Sequence, residues 1–119
     1  YGGYTGGRYV NGSGQYWFTS SSMTAAADFG TRSIAFNTTG TQVTPDLINT
    51  SANSNLNMTG TLSYAAATNQ ITGNVSTTGG LTGTVTGRFY GPSAQEIGGT
   101  FSVTGGGIEG YAGAFGGKR

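Results

Sequence analysis

Apolar and polar residues alternate with a period of two along most of the chain, which predicts half-buried β-strands rather than helices. The clearest run places Leu56, Met58, Gly60, Leu62 and Tyr64 on one parity and Asn57, Thr59, Thr61 and Ser63 on the other. It predicts a strand with one apolar and one hydroxyl-rich face. A turn over Ala65 to Gln70, to which Asn69 is suited, leads into Ile71, Gly73 and Val75, alternating with Thr72, Asn74 and Ser76. The two runs together predict a hairpin. After a turn at Thr77 to Gly80, Leu81, Gly83, Val85, Gly87 and Phe89 share a parity and predict the longest strand. Gly91-Pro92-Ser93 interrupts the pattern, because proline cannot donate to a ladder, and Ile97, Gly99, Phe101 and Val103 then resume it. Beyond a turn at Gly105 to Gly107, a last strand over Ile108 to Gly116 carries Tyr111 and Phe115 on one face and Ala112 and Ala114 on the other.

The N-terminal half is patterned less sharply. Tyr1 to Val10 and Gln15 to Ser20 read as strands, and Ala27 to Asn37 as a strand through Phe29, Ile34 and Phe36. Thr44 to Asn55 reads as a loop in which Pro45-Asp46 is suited to open a helical turn. No stretch sustains a 3.6-residue period, and Ser21 to Ala27 is the nearest exception.

About eight strands in one 119-residue unit can form a two-sheet sandwich or a closed barrel. Glycines share parity with Leu, Val, Ile and Phe in several strands, as a narrow interior filled by alternating large and small side chains requires, and this favours closure. The expected fold is all-β: a single domain over 1–119, an eight-stranded antiparallel up-and-down β-barrel with a filled interior.

Composition narrows the chemistry. With 24 glycines, no collagen-like period and 8% charged residues, the chain suits short strands joined by tight turns. A net charge of +1 without a Lys/Arg cluster argues against nucleic acid as a partner. The longest apolar run is far too short to be a transmembrane segment. The absence of histidine and cysteine removes the usual general base, nucleophile and zinc ligands, so neither catalysis nor a metal site is expected. The acids Asp28, Asp46, Glu96 and Glu109 are scattered, and a glycosidase pair would need Glu96 and Glu109 to converge. Tyrosinate can ligate ferric heme, but seven tyrosines offer no choice among themselves, and strands and barrel rims use tyrosine routinely. Heme is therefore a minority alternative to having no cofactor. In Tyr16-Trp17-Phe18, consecutive aromatics alternate faces and at least one must point outward, which makes the three a candidate partner contact.

The stretch from Gly87 to Phe101, containing Phe89, Tyr90, Gly91, Pro92, Ala94, Glu96, Gly98, Gly99 and Phe101, resembles the signature strand pair of the transferrin-binding protein B barrel. The ending Tyr111 to Arg119, with Phe115, Gly116, Lys118 and Arg119, is similar to that family's closing strand, and Ala27 to Phe36 to an early one. The signature itself reads as architectural. Phe89 and Phe101 enter the barrel from neighbouring strands, Gly91-Pro92 sets the connection, and Gly98-Gly99 permits a tight crossing or a bulge. Glu96 is expected to bond backbone amides or Arg88, Lys118 or Arg119.

The resemblance implies a Gram-negative surface barrel, commonly lipid-anchored, in a family that captures host iron carriers or heme. The expectation is thus a non-catalytic surface or secreted module that binds a protein partner with its loops and rim. Beginning at Tyr1 without an initiator Met, the chain reads as a mature product or excised domain whose export signal has been removed. Alternatives are a self-associating structural or adhesive subunit, which would add strands at a free edge, and a heme carrier.

Overall fold

The computed structural model describes residues 1–44 and 50–119. Among these residues nine strands follow one another: β1 (Gly2–Val10), β2 (Tyr16–Asp28), β3 (Ser33–Thr44), β4 (Ser51–Ala52), β5 (Met58–Ser63), β6 (Gln70–Thr77), β7 (Thr82–Tyr90), β8 (Glu96–Thr104) and β9 (Gly110–Lys118). All the pairings are antiparallel and join neighbours along the chain, apart from β3–β5, which passes over β4, and β1–β9, which brings the two ends of the chain together. With β2 also paired to β3, eight strands close an up-and-down barrel, and β4 hangs outside the ring on β3.

Alternation in burial is strict. In β2 the inward residues Thr19, Ser21, Met23 and Ala25 are buried while Phe18, Ser20, Ser22 and Thr24 are exposed, and β7 and β9 repeat the pattern. Ile34, Phe36, Leu62, Ile71, Val85, Ile97, Val103 and Tyr111 form the centre of one core, each at most 2% exposed. Burying a Leu, Ile, Val or Phe side chain contributes about 1.5–3 kcal/mol, so this shared inward parity drives closure. The Cα envelope, 44 × 29 × 16 Å, is flattened, so opposite walls pack against each other and leave no channel.

Inward glycines let the ring curl this tightly. Gly7 and Gly113 stand opposite each other on β1 and β9, and a Cβ on either would fall 2.2 or 2.3 Å from a backbone oxygen of the neighbouring strand. The ladder slips once, between β2 and β3, where register shifts from Ser20↔Gln42 to Ser22↔Thr39. Gly40, at φ 63°, takes up the extra residue as a bulge.

Several expectations are corrected. The 13-residue β2, not β7, is the longest strand, and Ser21 to Ala27, the nearest approach to a helical pattern, lies in its middle. Its inward positions include Thr19 and Ser21, so hydroxyls hide the apolar period. The strand expected through Phe29 is broken: the Asp28 carboxylate accepts hydrogen bonds from the Gly30 and Thr31 amides (2.9 and 3.2 Å), Arg32 takes φ 57°, and Phe29 lies in the turn between β2 and β3. Leu56 belongs to a 3-10 turn (Ser54–Leu56) ahead of β5, and Tyr64 lies just beyond that strand. Ile108 is 62% exposed in a turn, and β9 runs on to Lys118. In the expected loop from Thr44 to Asn55, residues 45–49, with the Pro45-Asp46 turn, lie outside the described residues; Thr44 ends β3, Ser51–Ala52 form β4, and Ser54 and Asn55 open the 3-10 turn.

Candidate functional site

Both mouths of the barrel are plugged by aromatic side chains. At the first, the alternation of β7 sends Phe89 inward and Tyr90 outward. Gly91 at φ 88° and Ala94 at φ 53° then turn the chain into β8, with the Ala94 amide donating to the Gly91 carbonyl at 3.2 Å. Phe89 anchors a cluster of rings, its centroid 5.1 Å from Tyr64 and 5.8 Å from both Tyr1 and Phe29. The β2–β3 turn lays Phe29 across this mouth. The Arg119 guanidinium stacks over the Phe29 and Tyr1 rings, 4.9 and 5.6 Å from their centroids, and the Arg119 amide donates to the Gln95 carbonyl at 3.0 Å. The Tyr1 hydroxyl donates to the Ala94 carbonyl.

The signature residues spread over β7, β8, β9 and this mouth. Phe89, Phe101 and Phe115 are buried, with Phe101 edge-on to Tyr111 at 4.8 Å and Phe115 edge-on to Phe36 at 5.1 Å. Gly99 lies across the ladder from Gly87, while Gly98 lies opposite Arg88 on one side and Gly116 on the other. Pro92 is exposed in the turn. Glu96 is exposed at the head of β8, opposite Tyr90 on β7 and Lys118 on β9, and among the described residues its carboxylate makes none of the expected bonds to backbone amides, Arg88, Lys118 or Arg119.

At the second mouth, the Asn11 side chain accepts from the Ser13 and Gln15 amides and closes the β1–β2 turn. Alternation then separates the three consecutive aromatics. Trp17 turns inward and stacks on Tyr9 at 5.7 Å, while Tyr16 and Phe18, 56% and 53% exposed, meet edge to face on the outer wall. The Arg8 guanidinium lies over the Tyr16 ring at 5.4 Å. The Tyr9 hydroxyl donates to Glu109 Oε2, and its pKa is pushed up to about 12, first by burial, then by this hydrogen bond and the charge of Glu109.

Glu96 and Glu109 begin successive antiparallel strands and so occupy opposite mouths, about 30 Å apart for a nine-residue strand. Glu96 and Glu109 therefore form no glycosidase pair. Among the described residues no three acids gather into a metal-binding group, and no helix is long and apolar enough to cross a membrane. The seven tyrosines do not converge on one site. Tyr111 is buried in the core, Tyr1, Tyr9 and Tyr64 are packed at the two mouths, and Tyr4, Tyr16 and Tyr90 stand exposed on the outer wall. One wall feature escaped the sequence reading: a shallow groove of about 440 Å³ with Tyr4 and Tyr90 as walls and Gly2, Gly116 and Gly117 in its floor. It depends on β1 pairing with β9, which no local pattern announces.

A closed, filled ring of eight antiparallel strands leaves its outer wall and rims to meet other molecules, which defines a surface-presenting β-barrel rather than a lumenal carrier. The chain belongs to the family described as the C-lobe and N-lobe beta barrels of Tf-binding protein B, which matches residues 3–119. Similar solved structures are transferrin-binding protein B of Haemophilus parasuis Hp5, in single-mutant (19% identity, TM-score 0.63) and double-mutant (21%, 0.64) forms. Isotype 1 transferrin-binding protein B of serogroup B Neisseria meningitidis is similar at 24% identity and a TM-score of 0.58. These alignments cover 99%, 99% and 98% of this chain but only 26%, 25% and 24% of theirs, so the chain spans about a quarter of the proteins it resembles. No curated protein sequence matches it. The family is one of binding proteins, not enzymes.

Proposed function

We propose that this barrel is a non-catalytic module of a bacterial surface protein, at the outer membrane or released from it, that binds a host protein carrying iron or heme. Transferrin is the first candidate and hemoglobin the second. The observation that carries the reading is the family match over residues 3–119 on a ring whose interior is filled by its own side chains. Binding then falls to the rims and the outer wall, where rigid strands present turns and exposed aromatics. Tyr16 and Phe18 are contact residues in this reading, and Trp17 holds them in place by stacking on Tyr9. Lipid anchoring and a part in iron acquisition follow from the same reading.

The test is titration of the whole chain against immobilised iron-loaded transferrin, iron-free transferrin and hemoglobin. Saturable binding at micromolar or lower concentration to one of them supports the proposal, and binding to none overturns it. The rival reading, a self-associating subunit, has among the described residues only the two-residue β4 outside the ring to extend. Light scattering that rose steeply with concentration would favour it.

A further inference from the structure

The first mouth and the wall beside it carry the most interaction-prone chemistry on the molecule. Of six large hydrophobic side chains left about half exposed or more among the described residues, Tyr4 (76%), Tyr90 (51%) and Phe29 (48%) lie here. Of five cationic side chains, Arg32, Arg88, Lys118 and Arg119 are here too, all exposed. Among the described residues two acids share this end, Asp28 and Glu96, which leaves its side chains with a net charge of +2. Asp28 is engaged by the Gly30 and Thr31 amides, and Glu96 sits across from Lys118. At the second mouth Arg8 is matched by Glu109, and Arg8 already lies over Tyr16.

The geometry points to this end of the barrel as a docking face for an acidic surface of a protein partner. Tyrosine and arginine predominate where interfaces concentrate their binding energy, and a cationic face steers an anionic partner into register. The aromatic contacts are held in advance. Phe29 is fixed between Phe89 below and the Arg119 guanidinium above, while Tyr90 packs beside Gly98 and forms one wall of the groove whose other wall is Tyr4. Fixing these rings before contact lowers the ordering cost of binding. The glycine floor leaves space for a partner side chain to lie between Tyr4 and Tyr90; Glu96 and Lys118 both line the groove and stand opposite each other, and Arg88, beside the groove on the same outer face, is left to meet carboxylates. The inference deepens the proposed function and rests on it in taking the partner to be a protein.

The probe is a short peptide alternating Glu with Leu, with the Gln-for-Glu peptide as its neutral counterpart, titrated into the isotope-labelled whole chain and followed by amide NMR shifts. Saturable shifts are expected at Phe29, Arg88, Tyr90, Gly98 and Gly116, weakening as salt is raised. Affinity should be about tenfold lower for the Gln peptide and about tenfold lower for the Arg88→Ser/Tyr90→Ser double variant. Both substituted side chains point outward, and the Ile108→Ser variant, whose exposed side chain lies in the β8–β9 turn at the opposite mouth, should bind the Glu peptide as the parent does. Shifts centred on Tyr16 and Phe18, equal binding of the two peptides, or no saturable shift would each overturn the docking face. Transferrin binding that survives Arg88→Ser/Tyr90→Ser would also overturn it while leaving the module reading intact. Peptide binding here without any binding of transferrin or hemoglobin would remove those cargoes and keep the face.

Discussion

Gly87 and Gly99 face each other across the β7–β8 ladder so closely that a Cβ on Gly99 would lie 2.6 Å from the Gly87 Cα and 2.3 Å from the Thr86 carbonyl oxygen. The Phe115 ring closes the third side, 2.9 Å from the same point. Backbone sets two of these limits, so no rotamer change relieves them. Gly99→Ala should cost about 3 kcal/mol or more, at or above the upper end for overpacking. Gly106→Ala, with nothing within 4 Å of the new methyl, should change stability by less than about 0.5 kcal/mol. Urea unfolding of the two variants beside the parent checks the contrast.

Phe89 and Phe29 belong to one aromatic cluster but should not weigh alike. Phe89 is 6% exposed and touches three other rings, so Phe89→Ala should cost about 3–5 kcal/mol. Phe29 is 48% exposed, and Phe29→Ala should cost about 1 kcal/mol or less. Thermal unfolding by circular dichroism separates these outcomes, and near-equal losses would mean that Phe29 is a core residue.

The Tyr111 ring is 1% exposed, yet its hydroxyl has no hydrogen-bond partner among the described residues. A buried polar group without a partner costs about 1–3 kcal/mol, so Tyr111→Phe, which keeps the ring packed on Phe101, should be neutral or stabilising. A clear loss of stability in urea unfolding would show that the hydroxyl has a partner after all.

Tyr9 gives the fold a dependence on alkaline pH. Its pKa rises from 10.0 in the unfolded chain to about 12 in the barrel, so folding favours the neutral phenol. That contribution is complete below pH 10 and is lost as pH climbs from 10 to 12, because in this window the unfolded chain has released a proton that the folded chain still holds. Tyr9→Phe should therefore lose less stability than the parent over the same window. Urea midpoints measured across that range for both proteins test the sign.

The β5–β6 hairpin and the three strands from β7 to β9 were legible because large apolar residues recur at every inward position or share it with glycine. Closure was legible through the same glycines, of which Gly99 and Gly113 meet neighbouring backbones. The length of β2 was not, since Thr19 and Ser21 occupy inward positions and the Ser21 hydroxyl bonds that of Thr5, a contact made only once the strands pair. Phe29 misled because an aromatic two residues after Ala27 and followed by Ile34 and Phe36 reads as part of one strand, although Asp28 before Gly30 carries a turn signal in its carboxylate. Alternation required at least one of Tyr16, Trp17 and Phe18 to point outward; that Tyr16 and Phe18 do so, with Trp17 stacked on Tyr9, is set by the strand pairing. The stack of Arg119 on Tyr1 and Phe29 did not, because it joins residues from the two ends of the chain and from a distant turn.

Most of the ring is assembled from hairpins whose partners are near in sequence, but the seam between β1 and β9 pairs Gly2 with Lys118. Local hairpins can zip early, whereas that seam must bring nearly the full length of the polypeptide into a loop before any of its bonds reward the search. The barrel should therefore fold slowly, with sealing of this last junction as the step that sets the rate.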